Sequence, residues 1–188
     1  MQLEFDAPRR RGDGRLQLPR DSGEGVAADF CVAVRDSPLT GSEWSRMRVF
    51  LRLTHRDDLR RRFGHPFAID DEATARRLFD VKAGSGEISW VTDAAGTIAG
   101  VAHRVMISPA EAEIAVLVRS DCQRRGIGEL LIRALVRRAA RQRLKTLYAV
   151  VQRDNRAVLQ LAAKIGYRCR SSAALTVELA IDISQSRP

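Results

Sequence analysis

The stretch that most restricts the fold of this chain runs from Glu113 to Arg143. Glu113-Ile-Ala-Val-Leu-Val118 is a short run of mostly apolar residues, expected as a strand. A polar loop follows, and from about Gly126 to Arg143 the residues Ile127, Leu130, Leu131, Ala134, Leu135 and Ala139 recur at three- and four-residue steps, the period of an amphipathic helix. Thr146-Leu-Tyr-Ala-Val-Val151 then reads as a near-continuous apolar strand, as expected where both faces are covered. A helix over 155–165 is closed by Gly166, which suits a left-handed position after the last turn. Two short strands fit between Tyr167 and Ile183. Such alternation returns each strand to one sheet, and the reading is a β-α-β-α-β unit within a mixed α/β sheet.

Upstream, Ile88–Thr92 and Ile98–Met106 flank Asp93-Ala-Ala-Gly96 and read as a hairpin. Phe30-Cys-Val-Ala-Val34 reads as an earlier strand. Three helices are expected between: one from Glu43 capped by Ser42, with Trp44, Met47 and Leu51 on one face, one beginning in Thr54-His-Arg-Asp57, and one from Asp70 or Asp71 carrying Ala75, Leu78 and Phe79. Residues 1–28 differ in composition, holding Gly12, Gly14, Gly23, Gly25, Pro8, Pro19 and Arg9-Arg10-Arg11 with no sustained apolar period. Such a segment buries too little apolar surface to offset its ordering entropy. It is expected as a flexible basic tail, with an edge strand near Leu16 and Leu18, ahead of one folded domain over 29–188.

At 188 residues and 45% hydrophobic content the chain can bury a core without disulfides or metals. No stretch approaches the roughly 18 apolar residues of a spanning helix, and the start lacks an apolar leader core, so a cytoplasmic protein with no membrane partner is expected. Cys31, Cys122 and Cys169, like His55, His65 and His103, are scattered without the spacing of metal ligands, and no metal is expected. The net charge is +9, and Lys82, Lys145 and Lys164 are the only lysines among 32 basic residues. That charge admits nucleic acid, a phosphorylated cofactor or a plain solvated surface.

The loop Gln123-Arg-Arg-Gly-Ile-Gly128 carries the chemistry. A helix start leaves backbone N–H groups without partners and a partial positive charge. Glycines there let a phosphate approach the backbone, and Gln123, Arg124 and Arg125 add donors around it. The plainer alternative is an ordinary helix start with Asp121 as cap. No Gly-Lys-Ser/Thr follows, and Leu131 stands where a dinucleotide fingerprint needs its third glycine, so neither of those phosphate loops fits.

Gln123-Arg-Arg-Gly-Ile-Gly128 resembles the Q/R-x-x-G-x-G/A signature of the GNAT superfamily of N-acetyltransferases, and the surroundings agree over residues 30–182: Val116-Leu117-Val118 ahead, the long helix, the strand ending at Val151, Asn155 opening the next helix, and Lys164-Ile-Gly-Tyr167. Asp58-Leu-Arg-Arg-Arg-Phe-Gly64, Ala112-Glu-Ile-Ala-Val-Leu-Val-Arg119 and Asn155-Arg-Ala-Val-Leu-Gln-Leu-Ala162 resemble the bacterial protein lysine acetyltransferases of the Pat type. The resemblance implies a GNAT-like fold: a central, mostly antiparallel twisted sheet with one parallel, splayed strand pair, flanked by helices. It implies acetyl-CoA as co-substrate, with Leu117 and Val118 pairing with the pantetheine arm. The amides of Arg124, Arg125, Gly126, Ile127 and Gly128 would hold the pyrophosphate, Gln123 would position the loop, and Asn155 would bond near the thioester. Asn155 is equally a helix N-cap.

Acetyl transfer needs a neutral amine, and neutralising a lysine at pH 7 costs about 4–5 kcal/mol against about 1 for an α-amine. Glu113, at the position of the glutamate used by Pat-like enzymes, is the expected base, with His103 second. Glu113 as a solvent-facing carboxylate beside Glu111 is the alternative. Many GNAT enzymes place an acid tyrosine seven residues after this asparagine, and here Ala162 stands there, as in Pat-like relatives. Tyr148 and Tyr167 read as packing residues, and positive charge near Cys122 is expected to lower its pKa. The expected activity is direct acetyl transfer to a primary amine, first of all a protein lysine, by a monomer or homodimer. The alternatives are a small-molecule amine acetyltransferase, a non-catalytic acyl-CoA sensor, and a basic nucleic-acid binder. The acceptor pocket is expected from the helices between 42 and 80.

Overall fold

The computed structural model describes residues 9–10, 16–17, 31–35, 39–64, 76, 79 and 85–184. The strands are β1 (Arg9–Arg10), β2 (Leu16–Gln17), β3 (Cys31–Arg35), β4 (Gly86–Thr92), β5 (Ile98–Ser108), β6 (Glu111–Val118), β7 (Thr146–Gln152), β8 (Arg168–Ser172) and β9 (Thr176–Asp182). The helices are α1 (Gly41–Arg52), α2 (Arg56–Phe63), α3 (Ile127–Arg141) and α4 (Arg156–Ile165), with a 3-10 turn at Ser120–Cys122. One sheet runs β1-β2-β3-β4-β5-β6-β7-β9-β8. Every neighbouring pair is antiparallel except β6 and β7. The mixed α/β architecture expected from the alternation is the one found.

Alternation along the strands sends side chains to two cores. Ala112, Ile114, Leu147 and Val151 meet Ile127, Leu131, Leu135 and Ala139 of α3 and Ala162 of α4 on one face. Ile88, Trp90, Val101 and Leu117 meet Trp44, Met47, Phe50 and Leu51 of α1, Leu59 of α2, and Phe79 on the other. Gly100 lets α3 lie close on β5, because a Cβ there would stand 2.8 Å from Ile127 Cγ2 and 3.1 Å from Leu131 Cδ1.

Several local expectations are corrected. The cap of α1 is Thr40, whose backbone N–H donates to Glu43 at 2.7 Å and whose hydroxyl donates to the same oxygen at 2.9 Å, so Ser42 lies inside the helix. The loop ahead of α3 is not closed by Asp121: Gly126 is the N-cap, and Asp121 is bound by Arg119. β7 is only partly covered on the face that carries Tyr148 and Val150: the Arg170 guanidinium lies 4.9 Å from the Tyr148 ring centre, while Val150 is 57% exposed. The tail expected over 1–28 lies outside the described residues except for β1 and β2, and β2 includes Leu16. Of the helix expected from Asp70 or Asp71, only Arg76 and Phe79 are described, both helical, with Phe79 buried. Among the described residues no helix is long and apolar enough to cross a membrane, and no group of three or more His, Cys, Asp or Glu could hold a metal.

Candidate active site

The site begins where one ladder stops. β6 pairs with β5 from Ser108–Glu111 to Gly100–Val118, but it pairs with β7 only over Glu111–Thr146, Ala112–Leu147 and Glu113–Tyr148. Beyond Glu113 the two parallel strands splay, leaving β6 from Ile114 to Val118 without ladder partners on that side. Unpaired backbone groups of this kind accept an extended ligand as an added strand. A cleft of about 500 Å³, open to solvent, fills the gap. Ile114, Ala115 and Val116 form one wall and Ala149, Val150 and Val151 the other. Ile132, Asn155, Val158, Ala162 and Tyr167 line it from the side of α3 and α4, and Arg61 and Arg62 from α2.

The start of α3 stands beside Val118, at the end of the unpaired stretch of β6, where a Cβ on Gly128 would lie 3.7 Å from Val118 Cγ2. Arg124 and Gly126 both take left-handed φ, 62° and 79°. For arginine that conformation costs roughly 1–2 kcal/mol, and such strain clusters where backbone must be aimed at a ligand. Leu130 is the first amide of α3 to donate back, to Gly126 O at 3.0 Å, which leaves the preceding N–H groups without intrahelical acceptors. Gly128 packs against α4, since a Cβ there would meet Leu161 Cδ2 at 3.2 Å. These features suit a diphosphate held by backbone amides and helix polarity.

The loop is braced from two sides. Arg119, 7% exposed, donates from Nε to Asp121 Oδ1 at 2.6 Å, from Nη2 to Asp121 Oδ2 and Asp93 Oδ2 at 3.1 Å each, and from Nη1 to Ile98 O at 3.2 Å. Asp121 raises the Arg119 pKa, and Arg119 in turn lowers that of Asp121. From the other side, Asp58 of α2 accepts from Ser120 Oγ at 2.6 Å and from Gln123 Nε2 at 2.8 Å. Gln123 Nε2 also lies 3.3 Å from Val118 O. In the sequence Asp58 stands only at the start of a stretch of family resemblance, with no role of its own. Its bonds to residues 62 and 65 positions away are a tertiary feature no local pattern carries.

Glu113 is exposed at the apex of the splay, opposite Val105 and Tyr148, and therefore shares their face of the sheet with α2. Glu111 is held by Tyr148, whose hydroxyl donates to Oε1 at 2.7 Å. Among the described residues no hydrogen bond or ion pair occupies the Glu113 carboxylate. His103 is a different case. Burial, and after it the Arg62 guanidinium, lowers its pKa to about 3. Arg62 Nη2 lies 2.9 Å from its Nε2 and fills the lone pair a base would need. The second candidate base is thus a neutral acceptor locked to Arg62. The expected activation of Cys122 is also overturned, because burial pushes its thiol pKa up more than Arg119 lowers it.

Asn155 caps α4, accepting from Val158 N at 3.3 Å, and faces the cleft as well. Ala162 is buried in the cleft lining, so no phenol stands there. Tyr167, expected only to pack, lines the cleft with a buried hydroxyl that has no partner among the described residues, and burial raises its pKa. Leu117 is directed into the α1 core and Val118 packs toward the α3 core, and neither lines the cleft.

Comparison with known proteins agrees with this geometry. A family model described as the acetyltransferase (GNAT) family matches residues 51–167. L-methionine sulfoximine/L-methionine sulfone acetyltransferases of Pseudomonas aeruginosa and Pseudomonas paraeruginosa are 33% identical over 103 residues, 52% of this chain and 60% of theirs. The match therefore spans less than two thirds of those relatives. Among solved structures, the GNAT domain of S. lividans PAT superposes with a TM-score of 0.71 at 20% identity, over 81% of this chain and 90% of that one. Spermidine N-acetyltransferase from Vibrio cholerae, in complex with CoA and spermine, gives 0.64 at 15% identity, over 82% and 96%. At such identities these likenesses speak for the fold.

Proposed function

This chain belongs to the acetyltransferase (GNAT) family, and from that premise we propose that it transfers an acetyl group from acetyl-CoA directly to a primary amine. The observation that carries the reading is the splayed β6–β7 cleft together with the left-handed Arg124–Gly126 loop and the start of α3 beside the end of β6. The amides of Arg124 to Gly128 would hold the diphosphate, with Gln123 tying the loop to Asp58. The backbone of Leu117 and Val118 would take the pantetheine arm, and Asn155 would bond the cofactor from the cleft wall. Acetyl-CoA supplies an activated thioester, and the protein supplies orientation, a base and a largely apolar cleft wall.

Glu113 is the base in this reading, taking the amine proton directly or through one water, because it is the carboxylate at the apex without a hydrogen bond or ion pair among the described residues. The CoA thiol, with a thiol reference pKa near 8.5, leaves tolerably without a tyrosine at Ala162. For the acceptor, the Pat-type motif stretches support a protein lysine. The names of the sulfoximine and sulfone acetyltransferases favour a second class, a small amine-bearing molecule. Incubation with acetyl-CoA and each class of amine, read by mass spectrometry for a gain of one acetyl group, tests the proposal. Acetylated amine with wild type and little with Glu113→Gln supports it. No acetylated amine of any class, although acetyl-CoA binds, would turn the reading toward a sensor.

A further inference from the structure

Arg62 occupies an electrostatic position that transfer to a lysine does not need. It sits on α2, half-buried, lines the cleft, and shares a face of the sheet with Glu113. Its recorded contacts are the neutral His103 ring, 2.9 Å from Nη2 to Nε2, and the Phe63 ring, 4.8 Å below the guanidinium carbon. Among the described residues no carboxylate lies within ion-pair distance of it. Arg60 and Arg61, the neighbours on the same helix, both reach Asp154, at 2.9 and 3.7 Å. A guanidinium has five N–H donors, and His103 accounts for one of them. Burying a cation without a counter-ion is costly, and buried charges in proteins are normally paired. Burial has already lowered the Arg62 pKa to about 10, with the Glu113 charge opposing that fall.

Among the described residues, a guanidinium without an ion pair and a carboxylate whose charge is felt at it, itself without a hydrogen bond, are together complementary to a zwitterion. A lysine side chain offers only a cation, which Arg62 repels. A molecule with a carboxylate next to its amine satisfies both groups, the amine toward Glu113 and the carboxylate toward Arg62. We propose that Arg62 is the specificity residue of the acceptor site and that the acceptor is a small α-amino acid, whose carboxylate takes the ion-pair position on the Arg62 guanidinium. The inference rests on the transferase reading and chooses the second of its two acceptor classes. Planar guanidinium suits this task because it can bind a carboxylate through two parallel N–H bonds.

The test compares thiol release from acetyl-CoA with a panel of L-α-amino acids, their matched α-carboxamides and a lysine-containing peptide. The enzymes are wild type, Arg62→Gln and Arg62→Lys, and calorimetric acetyl-CoA affinity serves as the check that each variant is folded. Wild type should prefer the free acid over its amide by at least about 10-fold in kcat/KM, the size expected of one charge-assisted carboxylate contact. Arg62→Gln should bring that ratio near one, and Arg62→Lys should restore part of it. Equal losses with acid and amide in Arg62→Gln would place Arg62 on the thioester instead and overturn the proposal. So would a wild-type preference for amides or for the peptide. If wild type acetylates nothing, the transferase reading itself fails, a result distinct from acetylation without carboxylate preference.

Discussion

At the scale of single residues, two groups of opposite behaviour share one face of the sheet. Glu113 is exposed and unpartnered among the described residues, whereas His103 is held neutral by burial and by Arg62. Glu113→Gln should lower kcat/KM for amine acetylation by about 10²-fold or more while leaving acetyl-CoA affinity near wild type, the pattern of a lost general base. His103 makes a separate prediction about stability. Its folded pKa of about 3 lies below its unfolded value near 6.5, so in acid the unfolded chain binds more protons than the folded one. The stability this contributes is complete above pH 6.5 and declines as pH falls, by up to about 1.4 kcal/mol per unit. Thermal melts from pH 7.5 to 5.5 should show a smaller fall for His103→Gln than for wild type. An equal fall would mean the histidine protonates in the folded state. The sequence pointed to Glu113 through its place near the start of the strand leading into the loop and its match to the glutamate of Pat-like enzymes. It could not show that His103 is blocked, because the blocking guanidinium comes from a helix 41 residues earlier.

At the scale of elements, α2 is the part that joins the two halves of the site. Through Asp58 it grips Ser120 and Gln123 of the loop, and through Arg60 and Arg61 it grips Asp154 beside Asn155. Asp58→Ala should therefore raise the KM for acetyl-CoA by about 10-fold, with Asp58→Asn between it and wild type, since both bonds end on Oδ2 and an amide oxygen there still accepts them, without the charge. A change in melting temperature alone, with KM unmoved, would make Asp58 merely structural. Gly100→Ala tests the seating of α3: its Cβ would meet Ile127 at 2.8 Å, and overpacking of that kind costs about 1–3 kcal/mol. A chemical-denaturation midpoint unchanged by that substitution would contradict the packing described. The strongly periodic elements, α3 and the β4–β5 hairpin above all, were legible because period and burial agree there. Caps and strand coverage were not. Thr40 displaced Ser42 because Glu43 completes a capping box only from that position, and β7 is only partly covered on one face, at Val150, because apolar composition does not say how fully a neighbour arrives.

At the scale of the whole molecule, two cores on opposite faces of one sheet fix β5 and β6 firmly, and the sheet gives way only between β6 and β7. The architecture thus places its weak seam where a linear ligand can enter, with α3 pointing its start at one end and Glu113 at the other. The loop motif and the ordered elements around it were enough to expect this seam. The charge arrangement across it, Arg62 against Glu113, required the tertiary placement of α2. A ligand bound only by the folded state should also stabilise it, by about 2.7 kcal/mol at one hundred times its Kd. The most direct check of the central claim is a calorimetric titration of the full chain with acetyl-CoA, with CoA alongside. The account predicts one site of micromolar affinity, about −8 kcal/mol, for both ligands, since the diphosphate and pantetheine contacts are common to them. Absence of binding at millimolar acetyl-CoA would contradict it.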